Sequence, residues 1–339
     1  MSAGPIIDQR LNRHERRVWE FVSRWPMSSL WHLQGTSLRT VATRTWKSMV
    51  ADRIFGHSAE LGFYFLFSLF PTLLSASSIL GLAARSAHQI YDRLLHYLAL
   101  VLPTAALGTV LDTFNETTAA ATSGKITFGL IAAIWSASVG ISAIQDTLNV
   151  VYKIEGSRSF IRARIYAIGL TIVLTATFSL CLGCMLGGDF VAALAHHRIP
   201  NHILSLSAEY AARLVGWVFA TGFLALAFAM VYYWAPDLKN RKWHWLTPGG
   251  TLGIVGWLIA SLGLRVYLHF FNNYSVTYGS LGAVIILLTW FYMTGLMLLA
   301  GAEFNSEIEA AAAEKRVLEY PLPASPIPGA GPDLRPSHE

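Results

Sequence analysis

The last long apolar stretch, from Thr277 to Asn305, constrains the fold of this chain more than any other feature. It reads TYGSLGAVIILLTWFYMTGLMLLAGAEFN and carries a single charged residue, Glu303. About 20 mainly apolar residues are enough for a helix to cross the hydrocarbon core of a bilayer. The stretch therefore predicts a membrane-spanning helix with a glycine-containing aromatic start and an acidic end.

The composition of the whole chain supports a lipid environment. Hydrophobic residues make up 54% of the 339 residues and charged residues only 13%, whereas about 25% of the residues of a soluble domain are charged. A single core of this size cannot bury so much apolar surface, but lipid accepts it. We therefore predict an all-α, polytopic membrane protein.

The apolar stretches predict about six transmembrane helices within a domain of residues 57–310, namely 59–84, 125–152, 165–190, 208–234, 246–271 and 277–305. The remaining segments are expected to be a basic amphipathic cytoplasmic segment at 1–56, amphipathic surface helices within 85–123, and a Pro-rich disordered cytoplasmic tail at 311–339.

The distribution of Lys and Arg predicts the orientation. The segments before span 1, between spans 2 and 3, between spans 4 and 5, and after span 6 hold nine, four, three and three Lys or Arg residues. The segments on the other side, 85–123, 191–207 and 272–276, hold two, one and no Lys or Arg residues. Because basic residues accumulate on the cytoplasmic side, both termini are expected in the cytoplasm.

Several residues within the spans predict local structure. Pro71 lies in the middle of span 1, where it predicts a kink, and Ser68 belongs to a polar stripe on the same span. Small residues at helical spacing in spans 2 and 5 predict close helix packing. Thr247 and Pro248 are expected to be the N-cap and first residue of the fifth span.

Polar residues near the ends of the spans predict two vestibules, because an ionisable group at membrane depth is costly and often functional. The inner one would combine Asp146, Asn149, Glu303 and Asn305. The outer one would combine Arg265, Asn272, Asn273, Tyr274, Thr277 and Tyr278, with Gly279 in the same turn.

Three of these residues have a simpler interpretation. Asp146 could pair with a base of the loop at 153–164. Glu303 could lie at headgroup level, and Arg265 could extend its side chain to the outer headgroups.

No recognised catalytic motif appears in the sequence. The chain has no Gly-rich phosphate loop followed by Lys, and no His and Asp cluster of the kind a metal-dependent nuclease needs. Cys181 and Cys184 are expected to be small helix-packing residues, and the histidines at 196, 197 and 202 to be loop residues, in preference to metal ligands. We expect no cofactor, no catalytic residue and no nucleic-acid partner, although the basic N-terminus keeps RNA binding as the weaker alternative to a membrane surface.

The sequence resembles the YihY/virulence factor BrkB family, also labelled ribonuclease BN-like, over about residues 38 to 310. The residues that carry the resemblance are Ser68–Pro71, Trp135–Ser138, Leu148, Asn149, Tyr152, Ala235–Pro236, Pro248–Gly249, Tyr274, Thr277–Ala283, Trp290, Gly301–Glu303 and Asn305.

The resemblance implies a multi-pass protein of the bacterial inner membrane, with membrane lipids as partners. Some relatives are linked to envelope lipid export, so the resemblance also implies a transporter-like or lipid-handling role in envelope maintenance. Envelope or lipid-export partners and a homo-oligomer are in keeping with such a role. The ribonuclease label of the family is regarded as a misassignment, and a non-transporting scaffold is the alternative function. No catalytic residues carry over from the family, and Arg265 lies outside its pattern.

Overall fold

A computed structural model of the chain describes residues 18–19, 22, 31, 37–83, 123–154, 158–198, 202–238, 242–270 and 281–319. Every regular element in these ranges is an α-helix, which confirms the predicted all-α class for the described part of the chain. The helices are α1 (Leu38–Ala51), α2 (Ile54–Ala83), α3 (Ser123–Val151), α4 (Phe160–Arg198), α5 (His202–Trp234), α6 (Pro248–Phe270) and α7 (Leu281–Glu319).

Five of these helices are long and apolar enough to cross a membrane, counting only the described residues. They contain the stretches Leu130–Val151, Phe160–Cys181, Leu214–Trp234, Pro248–Phe270 and Leu281–Lys315. The stretch predicted as span 1 is also one continuous helix, α2, which runs through Pro71 without interruption. The chain is thus a multi-pass helical membrane protein, and the count of six spans stays a prediction.

The ends of the helices follow recognisable local signals. The Ser37 hydroxyl accepts a hydrogen bond from the Thr40 backbone N–H and so caps α1. The Thr247 hydroxyl accepts one from the Gly250 N–H at 2.9 Å, with Pro248 as the first residue of α6, which confirms the predicted start of that helix.

Helix α7 lies at the centre of the bundle and packs against α1, α2, α3 and α6. Its approach to α6 is the closest of these contacts, because Gly249 and Gly301 face each other. A Cβ atom added to Gly249 would overlap the Gly301 carbonyl oxygen, so any larger residue would force the two helices apart. Small residues also line the packing face of α3, where a Cβ on Gly140 would lie 3.4 Å from the Phe65 ring of α2.

Several observed helices extend beyond the predicted spans, and for α7 and α4 the extension includes charged residues. Helix α7 continues past Asn305 to Glu319, because the Ala- and Glu-rich sequence after the apolar stretch favours a helix even though it is too polar to be recognised as a span. Helix α4 begins at Phe160, before the predicted start at 165, so Arg162 and Arg164 lie within its first two turns.

Several predictions fall outside the described residues. These are the surface helices within 85–122, most of segment 1–36, the turn at 271–280 and the tail after 319. The few described residues of the N-terminal segment show that it contacts the bundle: Val18 and Val22 are buried against Ala310 and Ala313 of α7.

Candidate functional site

The C-terminal half of α7 carries three buried acids, Glu303, Glu307 and Glu309, and α1 packs along this half. The two helices run antiparallel, with Val41 of α1 packed against Phe304, Ile308 and Ala312 of α7. The buried face of α1 holds Thr45 and Met49 as well. Leu38, by contrast, is 62% exposed.

Polar side chains one helical turn apart on α1 contact two acids on α7. Arg44 donates two hydrogen bonds from Nη1 and one from Nη2 to the Glu314 carboxylate, all at 3.0 Å. One turn further along α1, the Ser48 hydroxyl donates to Glu307 Oε1 at 2.6 Å. Because residues four apart share a helix face, the next residue of this row is Asp52.

Asp52 ends α1 and forms an ion pair with Lys153, which follows the end of α3. The pair is largely shielded from solvent, since the Lys153 and Asp52 side chains keep only 14% and 11% of their exposure. Two residues in these turns adopt the left-handed backbone region that non-glycine residues rarely occupy: Arg53 has a φ of 56° and Lys153 a φ of 50°. The ion pair therefore joins two strained turns.

Glu303 lies beside this ion pair and is completely buried, with 0% exposure. No hydrogen-bond donor among the described residues reaches either of its carboxylate oxygens, and the Asp52 carboxyl is the group close enough to share a hydrogen bond with it. The charged groups that act on it most strongly are Asp52 and then Lys153, followed by Glu307 on its own helix. The structure thus places Glu303 inside the protein, and its depth relative to the headgroups stays a prediction.

Asn305 has a structural role that its position in the sequence did not reveal. Its Oδ1 accepts a hydrogen bond from the Gly249 N–H at 2.8 Å, and its Nδ2 donates to the Thr247 hydroxyl at 2.9 Å. Both partners belong to the start of α6, whose first N–H groups have no partner within the helix. Asn305 therefore joins α7 to the N-terminus of α6 at their closest approach.

Asn149 also holds a helix end in place. Its Oδ1 accepts a hydrogen bond from the Asp237 N–H at 2.8 Å, just after α5. The Asp237 carboxylate in turn accepts from Arg158 Nε at 2.9 Å. These bonds tie together the end of α3, the segment just before α4 and the end of α5.

Asp146 lies on an exposed part of α3, and its closest charged neighbours are Glu60 and His57 of α2. In the described part of the chain it forms no ion pair, and two of the loop bases expected to pair with it are bound elsewhere: Lys153 to Asp52, and Arg158 to Asp237. The four residues predicted to share an inner vestibule therefore have separate environments, and only Glu303 has buried polar atoms that no donor in the described residues reaches.

The other predicted residues are less informative. Arg265 lies exposed on α6. The Ser68 hydroxyl donates to the Phe65 carbonyl of its own helix at 2.9 Å, and Pro71 lies within α2. The remaining members of the outer set, Tyr274, Thr277, Tyr278 and Gly279, are outside the described residues.

Sequence reasoning did not select Asp52 and Lys153 as site residues. Asp52 could have been recognised as the third member of a row at every fourth position with Arg44 and Ser48. Lys153 gave no such signal, since it is one of several bases in a loop and its partner is distant in the sequence.

A third overlooked residue, Arg164, lies on the surface of the bundle between α3 and α4. Its guanidinium stacks on the Trp135 ring, 4.2 Å from the ring centroid. It also donates to the Ser142 hydroxyl at 3.4 Å and to the Trp135 carbonyl at 3.3 Å, both long for hydrogen bonds. Trp135 itself is 59% exposed.

The fold and these sites together define a multi-pass α-helical membrane protein whose central helix carries buried acids at one end. The chain belongs to the family described as Virulence factor BrkB, whose pattern it matches over residues 45–321. This confirms the resemblance seen in the sequence.

Curated relatives are described as ribonuclease-like or as membrane proteins. The "Putative ribonuclease-like protein YfkH" of Bacillus subtilis (strain 168) is 34% identical over 249 residues, which cover 74% of this chain and 88% of that protein. The "UPF0761 membrane protein" of Xanthomonas oryzae pv. oryzae (strain PXO99A) is 27% identical over 278 residues, covering 81% of this chain and 62% of its own length. The protein of the same name from Xanthomonas campestris pv. campestris (strain 8004) gives the same identity and coverage. The chain thus spans about three-fifths of the length of the Xanthomonas relatives, and no solved structure matches it.

Proposed function

We propose that this protein is a transporter-like, lipid-handling protein of the bacterial inner membrane, with both termini in the cytoplasm. The observation that carries the proposal is Arg164, which stacks on Trp135 across two helices that are long and apolar enough to span a membrane. Ser142, one of its partners, is nine residues before the end of α3 at Val151, or about 14 Å by helix rise. Arg164 itself is four residues after the start of α4, about 6 Å by helix rise, and its guanidinium extends to Ser142. A cation among apolar helices is costly unless an anion or water compensates it.

The surroundings of Arg164 favour a lipid phosphate as that anion. Ile161 and Ile165 on the same helix are 70% and 63% exposed, as expected for side chains that contact acyl chains. The two hydrogen bonds of Arg164 are long, so its guanidinium retains the capacity to bind an oxyanion. A phospholipid could place its phosphate on Arg164 and its chains against the apolar side chains on either side.

A flux assay tests this function directly. Purified protein is reconstituted into liposomes that contain a fluorescent anionic phospholipid, and movement between leaflets is followed by quenching the outer leaflet with an impermeant reductant. We expect wild-type protein to accelerate the movement, and R164A to reduce the rate at least several-fold, with R164K retaining part of it. R162A is the matched control, because Arg162 is an exposed arginine on the same turn of α4, and it should leave the rate unchanged.

Two results would count against this function. Liposomes with wild-type protein that are no faster than empty ones would favour the scaffold alternative, in which the cellular role depends on the N-terminal segment and the tail. Cleavage of tRNA by a nuclease-free preparation would instead favour the activity in the name of the Bacillus relative; we expect none.

A further inference from the structure

We propose that Asp52, Lys153 and Glu303 together form a binding site for one exchangeable proton at the inner end of α7. The site joins three separate parts of the chain: the end of α1, the turn after α3, and the start of the acid-rich part of α7. Its use to couple transport rests on the function proposed above, whereas the proton site itself does not.

The register of α1 on α7 places the two acids opposite each other. Arg44 meets Glu314 and Ser48 meets Glu307, so the antiparallel progression brings Asp52 to the level of Glu303. The first two contacts pair a donor with a carboxylate. The third brings one carboxyl group against another, and Asp52 is accordingly the group with the strongest electrostatic effect on Glu303.

The charges at this point do not balance unless a proton is bound. Two ionised carboxylates and one ammonium would leave a net charge of −1 in a place where Glu303 has 0% exposure. An uncompensated buried charge is far more costly than a neutral carboxylic acid. Since Lys153 is already bound to Asp52, the proton belongs on Glu303, whose two oxygens receive no hydrogen bond from a donor in the described part of the chain. A protonated Glu303 can then donate to the Asp52 carboxylate.

No other group around Glu303 supplies a second positive charge in the described ranges. Glu307, on the same helix, is an acid already bonded to Ser48. The α3 side presents the Tyr152 phenol, which also lies near Glu309 and, from α5, Tyr232. The Arg44 guanidinium is occupied by Glu314.

The turns that hold the site suggest what proton release changes. When Glu303 loses its proton to the cytoplasm, the Lys153 ammonium is attracted to two carboxylates and shifts from Asp52 towards Glu303. Lys153 and Arg53 both occupy the left-handed backbone region, so their turns hold strain that such a shift can relieve. Protonation is thereby linked to the position of α1 and α2 relative to α7.

Infrared spectroscopy of the reconstituted full-length protein at neutral pH tests the site. A protonated carboxyl group has a C=O stretching band that a carboxylate lacks. The spectrum of wild type minus E303Q should contain this band. The D52N variant should lack the same band, because Lys153 then neutralises Glu303 directly. The K153M variant should keep the band, and a higher pH should be needed to remove it. E314Q, an acid-to-amide change in the same interface, should leave it unchanged.

Other outcomes would overturn the proposal. A wild-type minus E303Q spectrum with carboxylate bands in place of the C=O band would mean that Glu303 is ionised. Loss of the band on addition of sodium at constant pH would assign the site to a metal cation. D52N gives an independent answer if E303Q does not fold. Failure of lipid movement with the band present would reject the transport function and leave the proton site intact.

Discussion

The two halves of α7 differ in polarity and in exposure. The apolar half is the more exposed one, which is the reverse of what is found in a soluble protein. The first half, Leu281 to Ala300, is almost entirely apolar, yet Leu281 and Leu288 are 59% and 39% exposed. The second half, from Gly301 to Ala313, contains three acids, yet every residue in it is buried. In water the apolar half would be covered and the acidic half exposed. The reversal indicates that lipid surrounds the first half and that protein surrounds the second.

The enclosure of the second half requires several parts of the chain. Val41 of α1 covers one side, Val18 and Val22 of the N-terminal segment cover another, and Gly249 of α6 contacts Gly301 backbone to backbone. A helix with polar groups on many sides needs such a complete shell, because each buried polar group needs a partner or a neutral form. Four substitutions test the contrast between the two halves, in order of decreasing expected effect on stability.

Substitution G301A should have the largest effect. Its new Cβ would lie against the Gly249 carbonyl oxygen and 2.5 Å from the Tyr232 hydroxyl, and the backbone contact cannot be relieved by a rotamer change. We expect destabilisation of about 3 kcal/mol, at the upper end for overpacking. Thermal unfolding in detergent measures it. Gly263 of α6 has open space around it, so G263A should leave the unfolding temperature nearly unchanged, and equal effects of the two variants would contradict the close approach.

Substitution N305A should follow. It removes the acceptor of the Gly249 N–H and the donor to Thr247, both buried, at a cost of about 2 kcal/mol. T289A in the lipid-facing half is the control, since the Thr289 hydroxyl bonds only to the Ile285 carbonyl of its own helix among the contacts described. If T289A proved as harmful as N305A in the same unfolding assay, the contrast between the halves would fail.

Substitution E303M should act in the opposite direction. It removes a buried carboxyl whose oxygens receive no hydrogen bond from a donor in the described structure and leaves the Asp52–Lys153 pair neutral. We expect a gain in stability of about 1 kcal/mol, with loss of any proton-coupled activity. A loss of several kcal/mol would mean instead that Glu303 makes hydrogen bonds that hold the fold together.

The smallest effect should come from R44A. The Arg44–Glu314 pair is bidentate but more than one-third exposed on both sides, so it should contribute less than about 1 kcal/mol. The difference in unfolding temperature between wild type and R44A should shrink further in high salt, because an exposed pair is screened. A large, salt-independent loss would indicate that this end of α7 is as enclosed as Glu303.

Much of the helical architecture could be predicted, because apolar runs of sufficient length and signals such as Thr247–Pro248 act locally. The environment of Glu303 could not be predicted, since a hydropathy pattern ends where acids begin and does not show whether lipid headgroups or another helix lies beside them. The ion pair of Lys153 with Asp52 joins residues far apart in the sequence, so neither spacing nor composition pointed to it. Arg164 was predicted to lie in a loop because it precedes the apolar run that begins at residue 165. The helix α4 begins before that run, at Phe160.

The central claim, that lipid surrounds only the first half of α7, can be tested by one spin-label measurement. In a C181A/C184A background, single labels at Leu288 and Lys315, both exposed, are compared for collisions with oxygen, which concentrates in lipid, and with a nickel chelate, which stays in water. We predict that oxygen dominates at 288 and nickel at 315. Nickel collisions at 288 as frequent as at 315 would contradict the account.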